Sequence, residues 1–128
     1  MGLNIVAHRK MSLAGFADGW ENCFLTIRAV SEKQRKAWAD EMNAMKASTE
    51  GKDDRRQLLE DYASDFLERQ CKEVIVGGTI MNTDEDGNTV EYKLDKSDIS
   101  DLTSFLSFAW QQEVVSTATG ANRLKATQ

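Results

Sequence analysis

At 128 residues the chain is the size of one domain, which buries roughly two thirds of its unfolded surface and needs neither disulfides nor metals to hold a core. Hydrophobic residues make up 41% and charged residues 29%, a mixture too apolar for disorder. A net charge of −5 and a pI near 4.9 argue against a nonspecific nucleic-acid or anionic-membrane partner, and no apolar run approaches the ~20 residues of a membrane span or reads as a signal peptide.

The first segment alternates in two places, Leu3 to Val6 and Cys23 to Val30, with Gly15, Asp18 and Gly19 marking a turn between them. That pattern predicts an N-terminal strand pair. Ser31 then opens a helix: Ser31 and Gln34 have the capping-box spacing, and Val30 sits where a hydrophobic staple is wanted. Within this helix Trp38, Met42 and Met45 fall on one narrow stripe. After a polar loop over 48–52, Asp53 and Asp54 begin a second helix at its positive dipole end. Its apolar stripe runs from Leu58 and Leu59 through Phe66, Leu67 and Cys71 to Val74, wide enough to meet more than one neighbour. The helix is expected to end near Gly77-Gly78, although β-branched Val74-Ile75-Val76 also reads as strand.

Asp86-Gly87 between the runs Thr79–Met81 and Thr89–Leu94 is a strong β-hairpin signal, the glycine supplying a positive φ. A third helix, capped by Asp95 or Ser97, follows with Ile99, Leu102, Phe105, Leu106, Ala109 and Trp110 on one face. Phe108 and Val115 fall roughly opposite the centre of that face, at ~100° per residue. From Thr117 onward the periodicity is lost. The expectation is a mainly helical α+β fold: about three helices, an N-terminal strand pair and a short β-hairpin. Residues 1–116 are expected to form a single domain and 117–128 a flexible C-terminal tail.

Chemistry-bearing residues are sparse. Cys23 and Cys71 stand far apart without a neighbouring thiol, which favours reduced cysteines. His8 has no nucleophile or carboxylate spaced around it and reads as a surface or strand-edge residue. Asn82 to Gly87 matches the first half of a calcium loop, but Lys93 stands where the closing bidentate glutamate belongs, so a hairpin turn is the better reading. Gly77-Gly78 lacks any phosphate-loop frame and suggests a helix stop or a strand bulge. Asp61 and Asp65 would repel on one helix face and suit solvent or a partner better than a catalytic dyad. The expectation is a non-enzyme with no catalytic, cofactor-binding or metal site and no cofactor.

The surplus apolar residues then call for an explanation. Trp38, Phe66, Phe105 and Trp110 suit a core where helices meet, whereas Phe108 and Val115 on the third helix and the Leu67–Cys71 edge of the second do not. Leu67, Cys71, Phe108 and Val115 are therefore the candidate partner-binding residues. Charge is unevenly spread: residues 1–48 carry +2, residues 49–116 carry −9 and the last twelve +2. An acidic middle discourages self-aggregation and steers basic or apolar partners.

The order of elements resembles the tail assembly chaperones of long-tailed, siphovirus-type bacteriophages. The likeness lies in Trp20-Glu21-Asn22-Cys23-Phe24-Leu25-Thr26-Ile27-Arg28 and in Val74-Ile75-Val76-Gly77-Gly78 through Leu106, with the Asp86-Gly87 turn and the helix opening at Leu94-Asp95-Lys96-Ser97-Asp98-Ile99. These are patterns of hydrophobicity and turn placement, covering most of residues 20–116. The resemblance implies a small α+β protein of the host cell cytoplasm, absent from the finished virion. It implies a binder that keeps the tape-measure protein from aggregating and helps to recruit the tail-tube protein. A homo-oligomer is a separate expectation from the residues, since the wide stripe of the second helix and the surplus apolar positions call for cover by other strands of the fold or by a second chain. The family has no active site to carry over. Competing readings are a virion structural protein, such as a head-completion or tail-terminator ring subunit, and a bacterial adaptor or antitoxin-like module.

Overall fold

In a computed structural model of the chain, which describes residues 2, 3 and 5–121, strand β1 (His8–Ser12) pairs with β2 (Phe24–Arg28), and two helices follow, α1 (Glu32–Ser48) and α2 (Arg55–Val74). Strands β3 (Ile75–Thr83) and β4 (Thr89–Lys93) form a hairpin; a 3-10 turn at Lys96–Asp98 then leads into α3 (Ile99–Phe105) and α4 (Phe108–Thr119). The four strands lie in the order β1-β2-β3-β4, all antiparallel. Among the described residues the fold is α+β, with four helices where about three are expected and one four-stranded sheet that joins the expected strand pair and hairpin. Met11, Leu13, Leu25 and Ile27 meet Cys71 and Val74 of α2 and Val114 of α4 in one core.

The first strand lies five residues later than the alternation at Leu3–Val6 suggests. Leu3, Ile5 and Val6 are 86%, 81% and 73% exposed, while His8-Arg9-Lys10-Met11-Ser12 forms the strand. Three cationic or titratable side chains disguise its period, yet Met11 turns into the core between exposed Lys10 and Ser12. His8 is exposed on this edge strand, as its surroundings in sequence suggest.

Ser31 caps α1 as its spacing predicts, its hydroxyl accepting the Gln34 N–H at 3.1 Å. The turn between α1 and α2 is fastened by Thr49, a buried residue in an otherwise exposed loop. Its hydroxyl donates to the carbonyls of Met45 and Lys46, while the Arg55 guanidinium donates to Thr49 Oγ1 and to the Lys46 carbonyl.

Helix α2 stops at Val74 and β3 begins at Ile75, with no loop between them. The β-branched run is thus strand from its second residue, and Gly77-Gly78 lies inside the sheet instead of ending the helix. Opposite β2 the register slips between Thr26 and Ile27, which pair with Gly77 and Ile75, leaving Val76 as the extra residue of a bulge. Gly78 follows at φ +141, and a Cβ there would lie 2.3 Å from the Phe24 carbonyl oxygen. Only glycine lets the two backbones approach this closely. At the hairpin tip Asp84 Oδ1 accepts the N–H groups of Asp86 and Asn88 at 3.0 and 2.9 Å, holding the turn that the Asp-Gly pair predicts.

The expected third helix is broken at Leu106-Ser107. Leu106 is extended, Ser107 caps α4 by accepting the Trp110 N–H, and Gln111 Nε2 donates across the break to the Thr103 and Leu106 carbonyls. The break resets the helical wheel. Trp110 is therefore only half-buried, while Val114 takes the core position on α4; Phe105, the last residue of α3, is 71% exposed. The expected tail boundary at 117 falls inside α4, where Thr117 and Ala118 are buried. Arg9 donates to the Thr117 and Ala118 carbonyls, and Gly120 ends the helix at φ +80. The remainder of that expected tail, 122–128, lies outside the described residues. Among the described residues no helix is long and apolar enough to cross a membrane.

Candidate functional site

Helix α1 touches the body on one side only. All seventeen of its residues are described and none is buried; Trp38, Met42 and Met45, the predicted stripe, are half-buried. Glu41 fastens the helix to α2 by accepting hydrogen bonds from the Tyr62 hydroxyl and, at 2.7 Å, from Arg69. These donors, Arg69 first, hold the Glu41 carboxyl below its ordinary range, and the same pairing raises the Tyr62 hydroxyl. Arg69 also lies 5.1 Å over the Phe66 ring, which meets Tyr62 edge-on.

Between α1 and α4, with α2 as its floor, runs an open groove of about 370 Å³. Trp38 and Met42 form one wall, Phe66 and Leu67 the floor, and Phe108 and Val115 the other wall. Three of the four candidate partner-binding residues thus meet in one place. Phe108 is 55% exposed at the rim, Val115 is half-buried, and Leu67 is 8% exposed beneath them. Phe108 and Val115 reach this wall from α4, a separate helix, not from the back of one continuous third helix.

Cys71 is not part of this surface. It is fully buried in the core, and its thiol donates to the Gln111 carbonyl at 3.4 Å. Burial, with the Glu68 charge second, pushes its pKa up to about 12. Cys23 is also free and buried, its thiol likewise raised by burial first. Asp61 is exposed and accepts from Gln57 Nε2 at 2.8 Å, in keeping with a solvated helix face. Asp84, the first carboxylate of the calcium-like string, is engaged by backbone at the hairpin turn. Among the described residues no group of three or more His, Cys, Asp or Glu side chains is placed to hold a metal ion.

A second apolar surface lies outside the predicted site. Phe105, assigned to the core by helical arithmetic, instead stands at the edge of an aromatic group with Phe16, Trp20 and Trp110. Trp20 was the available signal: a tryptophan in a glycine-flanked loop has no helix or strand of its own to bury it.

Searches of the chain against protein-family models, curated proteins and solved structures return no match.

Proposed function

We propose that the chain is a tail assembly chaperone of long-tailed phages, acting in the host cytoplasm as a non-catalytic holder of the tape-measure protein. The observation that carries the reading is the open groove over α2. An amphipathic helix laid along it meets Trp38 and Met42 on one side, Phe108 and Val115 on the other, and Leu67 beneath. Such a groove recognises apolar residues at i, i+3, i+4 and i+7 of a partner helix, the pattern that aggregates when left in water. Helix α1 suits this role because none of its residues is committed to the buried core, so its inner face is left for a partner. Recruitment of tail-tube subunits belongs to the proposal through the family resemblance, and self-association through the exposed apolar positions such as Phe108.

The test is co-expression with the long helical protein encoded downstream. A soluble complex of the two is expected; a partner that stays insoluble with and without this chain overturns the reading. The competing role, a ring subunit of the virion, draws on a different observation. Strands β1 and β4 each leave one edge unpaired among the described residues, which suits continuation of the sheet between subunits. Mass spectrometry of purified particles separates the two, since stoichiometric presence in mature virions excludes the chaperone.

A further inference from the structure

A second groove, of about 580 Å³, opens between the β3–β4 hairpin and α3. Ile80 and Met81 line it from β3, Tyr92 from β4, Trp20 from the β1–β2 connection and Phe105 from the end of α3. Phe105 is 71% exposed, yet its ring centroid lies 6.0 Å from that of Phe16. The Phe16 ring in turn lies 4.6 Å from Trp20 and 5.5 Å from Trp110. Four aromatic rings therefore form one patch that runs into the groove.

The chain segment that supplies one side of this groove is strongly acidic. Residues 84–101 carry seven carboxylates and two lysines, a net −5 that equals the charge of the whole chain. Among the described residues none of the seven is in an ion pair; the salt bridges join other parts of the chain. Two of them, Asp98 and Asp101, line the groove itself. Asp98 is fixed in place, accepting the Tyr92 hydroxyl at 2.7 Å and the Asp95 N–H at 2.8 Å, while Asp101 is exposed. An apolar, aromatic trough beside unneutralised carboxylates attracts cations to its rim and apolar groups to its floor.

We propose that this groove is a docking site for a cationic amphipathic peptide segment of a partner protein. The segment lays its apolar side chains against Ile80, Met81 and Phe105 and directs lysine or arginine toward Asp98 and Asp101. The site is separate from the groove over α2 and does not depend on the function proposed for that groove.

Fluorescence anisotropy on the full chain tests the assignment. The probe is a fluorescein-labelled synthetic helix of leucine and lysine, and its control is the same helix with glutamate in place of lysine. The lysine peptide is expected to bind saturably and more weakly at high salt, and the glutamate peptide not to bind. Phe105→Ser and Asp101→Lys, both at exposed positions, should each weaken binding about tenfold, whereas Phe108→Ser in the other groove should leave it unchanged. Far-UV CD confirms that each variant keeps its fold. Absence of saturable binding, equal binding of both peptides, or native-like binding by folded Phe105→Ser and Asp101→Lys overturns the proposal. So does a loss in Phe108→Ser as large as that in Phe105→Ser, because the peptide then occupies the groove over α2.

Discussion

Glu41 on α1 and Arg69 on α2 are joined by a 2.7 Å salt bridge, and this bond crosses between two helices that share little buried surface. Depression of the Glu41 pKa makes the tie dependent on pH. Its stabilisation is present above the unfolded value of about 4.3 and is lost as pH falls through the lower folded value. Hydrogen-exchange protection factors in α1 are expected to drop on acidification before those of the sheet do. In Glu41→Gln that early drop should be absent. If α1 and the sheet lose protection together in the native sequence, the salt bridge is not what holds the helix down.

The groove over α2 makes its own demand. Phe108→Ser combined with Val115→Ser should sharply reduce solubilisation of the helical partner while far-UV CD stays native. The stability cost should be modest, about 1–2 kcal/mol, because Phe108 is already 55% exposed and Val115 half-buried. An unfolded double variant would mean that these residues hold the fold, not a partner.

Gly78 supplies a sharper comparison. Gly78→Ala must accommodate both φ +141 and a Cβ pressed against the Phe24 carbonyl, so a loss of about 3 kcal/mol is expected. Gly77→Ala meets open space and lacks the positive φ, so it should change stability by less than about 1 kcal/mol. Urea denaturation midpoints measure both. Equal shifts would remove the close approach of β2 and β3 as the reason for glycine at 78.

Cys71, with a pKa pushed up to about 12, stays a neutral thiol at physiological pH and lies out of reach in the core. A chromogenic disulfide reagent at mild pH should fail to modify it in the folded chain and react fully in denaturant. Since the folded value lies above the ordinary 9.0, its contribution to stability is intact below that pH and declines as pH rises toward 12. Fast native-state modification of Cys71 would contradict the burial.

Local signals survived into the structure where they act over a few residues. Ser31 caps α1 and Asp86-Gly87 turns the hairpin because caps and tight turns depend on their own side chains and backbone angles. What sequence periodicity missed depends on distant partners. The Leu106-Ser107 break is supported by Gln111 reaching back to two carbonyls, and the sheet register at Gly78 is set by Phe24, fifty-four residues away in the chain. One unrecognised break then misplaced Trp110, while the broad stripe of α2 pointed correctly to several neighbours. Along the groove over α2, Phe108 and Val115 stand where their positions off the core face suggest, while Leu67 is buried beneath them and belongs to the core. Leu67 and Cys71 were not distinguishable from exposed positions, because a helix stripe does not reveal which of its edges is covered by the rest of the fold.

Helix α1 is pinned at both ends: the Val30 N–H before it is bonded to the Ala118 carbonyl, and the turn after it is closed by Thr49 and Arg55. Its neighbour α2 continues straight into β3 with no residue to act as a hinge. The floor of the groove is thus rigid with the sheet, and the wall carrying Trp38 and Met42 cannot swing out like a flap. Any change in the groove's width must come from α1 rolling about its own long axis, which adjusts the two side chains to helices of different girth while both anchors stay fastened.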